Sequence, residues 1–136
     1  MSKTNALETD VLRKLFQGVE LPWNGVSNLH VSLHTADPGE GGDQTTSEAT
    51  FTGYARQAVS RDALGWDVAG DLVSNAEDVD FPLCTGGSNA ITHFGIGTAA
   101  SGAGTLLFKG ALTNPLAVSN GITPSFAAGA LQIQED

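Results

Sequence analysis

Apolar and polar residues alternate along most of this chain, and one stretch alone keeps a helical period. The alternation is densest in Ile91-Thr92-His93-Phe94-Gly95-Ile96-Gly97 and in Leu106-Leu107-Phe108-Lys109-Gly110-Ala111-Leu112. Between them lies the small, glycine-bearing run 98–105, suited to joining two strands. On a pleated strand Thr92, Phe94 and Ile96 share one face of the first run. Leu106, Phe108 and Leu112 share one face of the second, with Lys109 opposite. The expectation is a central β-hairpin with its apolar side in a core.

Leu29, Val31 and Leu33 alternate with His30, Ser32 and His34, which reads as a strand with one face inward. It stops at Ala36-Asp37-Pro38-Gly39, a turn signature. Residues 37–50 are polar, acidic and glycine-rich, the composition of a long exposed loop of the kind that binds ligands. Further strands are expected over 51–60, over 64–69 around Trp66, more weakly over 72–76, and at Val79, Phe81 and Leu83. Beyond the hairpin, 115–118 is a short strand, Ser119-Asn120-Gly121 a tight turn, and 126–134 a last strand. Short strands at this spacing predict a mainly β fold, a single antiparallel β-sandwich or jelly-roll-like domain. It fills 1–136, with a helix and arm over 1–25 and the β body over 26–136.

The helical exception is 5–17. Thr4 or Asn5 can cap it, Glu8 sits early, Arg13 and Lys14 lie in the last turn, and Gly18 can end it. Leu7, Val11 and Leu15, with Leu12 and Phe16 beside them, form its apolar stripe.

Composition narrows the function classes. The chain has 136 residues, 17 glycines, 40% hydrophobic content and 15% charged content. That profile suits a turn-rich β protein more than a helical bundle. Fifteen acids against six bases leave a net charge of −9. A nucleic-acid binder needs a basic face, so nucleic acid is excluded as a partner, and an anionic membrane surface is equally disfavoured. No apolar run is long enough for a signal peptide or membrane span, so the chain is expected to be made in the host cytoplasm. The one cysteine, Cys84, reads as a buried, inert thiol.

Candidate chemistry is thin. His30 and His34 would share a helical face, but in a strand they stand about 13 Å apart, too far to ligate one ion. His93 reads as a hydrogen-bonded residue at the sheet surface. Asp37, Glu40 and Asp43 are a candidate exposed binding loop, although their spacing does not match a twelve-position calcium loop. The paired glycines lack the lysine and hydroxyl of a phosphate cradle, and no serine sits in a nucleophile-elbow frame. The expectation is no enzyme, no cofactor and no metal.

In order, the helix running into Phe16-Gln17-Gly18, then Val31-Ser32-Leu33-His34-Thr35-Ala36-Asp37-Pro38-Gly39, Gly53-Tyr54-Ala55-Arg56, Trp66, Ser74-Asn75, Phe81-Pro82, the two hairpin strands and Phe126-Ala127-Ala128-Gly129-Ala130-Leu131 form a set. This set resembles a family of small tailed-phage virion proteins, described as tail-fibre-like or capsid decoration proteins, over nearly the whole chain. The resemblance implies a non-catalytic virion structural protein. The first expectation is a decoration (cement) protein on the capsid surface, bound to the major capsid protein. It would self-associate as a homo-dimer or homo-trimer through Leu7, Val11, Leu15, Phe16 and Trp23. The alternative is a minor tail or tail-fibre-associated protein, and a third option is a glycan-binding β-sandwich.

Overall fold

Three β-strands that pair in the middle of the molecule carry most of its core. The computed structural model describes residues 2–135. In chain order the elements are β1 (Ser2–Lys3), α1 (Asn5–Gln17), β2 (Asn28–His34), β3 (Gln57–Ser60), β4 (Trp66–Ala69), β5 (Leu72–Asn75), β6 (Val79–Asp80), β7 (Ser88–Gly97), β8 (Leu106–Ser119), β9 (Ser125–Phe126) and β10 (Gln132–Gln134). They form a five-stranded sheet in the order β1-β8-β7-β2-β3, a three-stranded sheet β10-β5-β4 and a β6-β9 pair, all antiparallel. The fold is mainly β and sandwich-like, as the alternation predicts.

The register explains the core. Val31 pairs with Ile96 and Leu33 with Phe94 across β2 and β7. Ile96 in turn faces Phe108, and Phe94 faces Gly110, across β7 and β8. These side chains meet Val79, Phe81, Leu131 and Ile133, so the two smaller sheets cover one face of the large one. A chain of rings runs through the contact: Phe51, Tyr54, Phe81, Phe126 and Phe94, with centroids 5.4 to 6.3 Å apart. Each fully buried aliphatic or aromatic side chain here contributes about 1.5–3 kcal/mol of transfer free energy.

The hairpin differs from the simple alternation at two irregularities of pairing, between Ile91 and His93 and between Ile96 and Gly97. A bulge adds one residue to one strand and reverses the facing of what lies beyond it. Thr92 therefore leaves the core face and Ile91 takes its place in the core. Leu106 moves to the opposite face from Phe108, beside Ser32, His34 and Gly95.

Four other expectations are corrected. The polar face of β2 is not at the surface: Ser32 and His34 are as buried as Val31 and Leu33. Residues 37–50 are not a free loop, because Pro38, Gln44 and Ala49 are buried in it. The run 51–60 is strand only from Gln57; before that, Tyr54 N–H donates to Phe51 O at 3.1 Å and Gly53 takes a positive φ of 97°, closing a turn that drops Phe51 into the core. The last strand is two strands, interrupted where the buried Asn75 side chain accepts from Leu131 N–H at 2.9 Å and donates to Ala127 O at 3.0 Å. Leu83 is exposed, while 115–118 simply continues β8. Cys84 is buried, donating to Gly86 O at 3.2 Å.

Candidate assembly surface

The helix forms where its caps predict. Thr4 is the N-cap; its hydroxyl oxygen accepts from Leu7 N–H at 3.4 Å and donates to Leu106 O at 2.5 Å, so the cap also pins the helix to β8. Gly18 ends it in the left-handed conformation, φ 66°, which costs glycine little. The predicted stripe, however, divides. Leu7 is buried in its own chain and Val11 half-buried, while Leu12, Leu15 and Phe16 are 56, 70 and 81% exposed, with Val19 exposed just beyond. At 3.6 residues per turn, Leu12, Leu15, Phe16 and Val19 form a second apolar line at i, i+3, i+4 and i+7. Leu7 thus belongs to the fold, and the outward line includes Leu12 and Val19, which the sequence-based interface set omits.

Trp23 links the helix to the next feature. Its indole N–H donates to Asp10 at 3.2 Å, and the Arg61 guanidinium lies 5.1 Å over its ring. Arg61 also donates to Asn24 O and Val26 O, and it stands on the rim of an apolar cleft of about 520 Å³. Leu29, Ile96 and Phe108 of the large sheet form one wall of the cleft, and Trp66, Val68, Val73 and Ile133 of the small sheet form the other. Val68 is 74% exposed at its lip and Leu64 is exposed nearby. The Trp66 indole N–H is buried with no acceptor among the described residues. Exposed leucine and valine in a short edge strand were the sequence signal for this cleft, but they read equally as ordinary strand positions.

The three loop carboxylates do not converge on one point. Lys109 lies 3.1 Å from Asp37 and 3.4 Å from Glu40, clamping the start of the loop to β8. Asp43 instead accepts from Thr45 N–H at 2.8 Å and from its hydroxyl at 2.6 Å, shaping its own turn. Hydrogen bonds from Gly39 N–H and Lys109 hold the Asp37 carboxyl below the usual range, and those from Thr45 do the same for Asp43. Among the described residues no three His, Cys, Asp or Glu side chains gather as a metal site.

The rest of that loop is sewn to the sheet. Arg56 makes a two-pronged ion pair with Glu48, 2.7 and 2.9 Å, and donates to Ala99 O and Gly102 O at 3.0 and 2.6 Å. The buried Gln44 amide donates to Ala99 O and accepts from Ala99 N–H, 3.1 and 3.0 Å. His34 Nδ1 stands 2.8 Å from Thr46 O, which requires the proton on Nδ1 and leaves Nε2 to accept from Ser32 Oγ at 2.7 Å. Burial pushes the His34 pKa down from its ordinary value. His93 pairs with His34 in register and hydrogen-bonds Thr92 at 2.8 Å; His30 sits further along β2, opposite Gly97.

The chemistry is that of a held scaffold with one apolar end. None of the curated proteins matches the chain. A protein-family model described as "Podophage GP4 fiber I protein gp80" matches residues 2–134. With that match spanning the helix, the sewn loop and all three sheets, the chain belongs to the podophage GP4 fiber I protein gp80 family and is a phage virion structural protein.

Proposed function

We propose that this protein is a non-catalytic component of a phage tail fibre, acting by self-association and by attachment to a tail partner. The observation that carries the reading is the family match over nearly the whole chain, whose description is of a fibre. It favours the tail alternative over decoration of the capsid surface. The geometry supports the same reading: the acidic loop spends its carboxylates on Lys109 and on its own turn, while the apolar side chains left in solvent gather on α1 and around the cleft.

Gold-labelled antibody on intact virions, combined with copy counting by quantitative mass spectrometry, tests it. Label on the tail and a low copy number are the expected result. Label spread over the head with hundreds of copies would overturn the fibre reading in favour of decoration.

A further inference from the structure

The outward line of α1 and the cleft between the sheets are both apolar, both open and of complementary form. A helix presenting i, i+3, i+4 and i+7 anchors is the shape that an apolar groove accepts. The charges around the two also match. Arg13 lies beside Leu12 on the helix and has no ion-pair partner among the described residues, whereas Lys109, Arg56 and Lys14 are each paired with an acid. Asp62 lies on the rim of the cleft, and Asp67 and Asp71 lie on the β4–β5 hairpin that forms its outer wall. On a chain of net charge −9, a basic spot next to an exposed phenylalanine is a scarce feature. Its counterpart is present on every other copy.

We propose that the occupant of the cleft is a second copy of this chain, whose α1 inserts Leu12, Phe16 and Val19 between the sheets while Arg13 meets the acidic rim. Trp23 and Arg61 join the helix to the cleft within one chain, so each copy offers donor and acceptor surfaces at the same end. The inference takes its setting from the fibre reading. A self-associating chain absent from the tail would overturn that reading and leave this one standing; a monomeric chain found on the tail would do the reverse.

Light scattering and sedimentation on the purified full chain test it. The wild-type mass should be a multiple of 14.0 kDa at micromolar concentration. Phe16→Asp and Val68→Asp should each reduce it to a single copy with an unchanged melting temperature, since both side chains are exposed. An equal mixture of the two variants should recover a two-chain species, because one retains the cleft and the other the helix. Arg13→Glu should weaken association about tenfold or more, and adding Asp67→Arg should restore it. A monomeric wild type, a variant that keeps the wild-type mass, a mixture that stays monomeric, or a charge exchange without recovery would each overturn the proposal.

Discussion

The two faces of the β2–β7 pair are equally dry, yet they are closed by different means. On one, Val31, Leu33, Phe94 and Ile96 meet the two small sheets through apolar contact. On the other, Ser32, His34 and Leu106 are covered by a loop whose buried side chains are polar and paired. The first face tolerates substitutions that conserve volume, because dispersion and burial are non-directional. The second depends on hydrogen-bond geometry, because a buried polar group without a partner costs free energy outright. Glycine makes the second closure possible. A Cβ at Gly95 would stand 2.7 Å from Ser32 Oγ and 2.8 Å from His34 Nε2, and one at Gly97 would stand 2.2 Å from the Gln44 side chain.

The sharpest way to break the apolar face is Phe94→Ala, expected to cost about 3–5 kcal/mol in urea unfolding. A cost near zero would show that the ring does not support the sheet contact. Arg56→Ala should cost about 3 kcal/mol, because it leaves Glu48 unpaired and frees the loop from Ala99 and Gly102; hydrogen exchange should rise over residues 43–48 and 98–104 before it rises in β7. Gly95→Ala should cost about 1–3 kcal/mol by overpacking the polar side, and Ser32→Gly in the same chain should recover part of it.

The polar face also makes stability depend on pH. The folded pKa of His34 lies below its ordinary value of 6.5, so below about pH 6.5 the unfolded chain takes up a proton that the native chain refuses. Stability therefore holds above 6.5 and falls with pH from there down to the folded pKa. His30, also lowered by burial, adds to the same trend. A melting temperature flat from pH 8 to 5 would contradict this account. The smallest expected effect is on the helix, where Leu15→Asp should change stability by no more than about 0.5 kcal/mol, since Leu15 contributes little to its own fold.

Much of the architecture was legible in the residues. Capping chemistry marked α1 to within a residue at each end, because caps act through neighbours in sequence. The alternation found β2, the central hairpin and the sandwich-like class, because a two-residue period has one cheap structural solution. The same alternation misjudged Thr92 and Leu106, since a bulge changes facing without leaving a signature in a run of apolar residues. It also took Ser32 and His34 for surface residues. A strand pattern reports polarity, and only a covering loop decides whether polar means wet.

The assembly surface divides along the same line. That α1 is amphipathic is a property of 13 residues read alone. Which part of its stripe is already occupied is not, because Leu7 is covered only once β8 is in place. The cleft has no sequence counterpart at all: its walls come from β2, β7, β8, β4, β5 and β10, strands brought together by long-range pairing. Local periodicity determined the elements and their polarity. Packing between elements distant in the chain decided which apolar surface was consumed in folding and which was left over for another molecule.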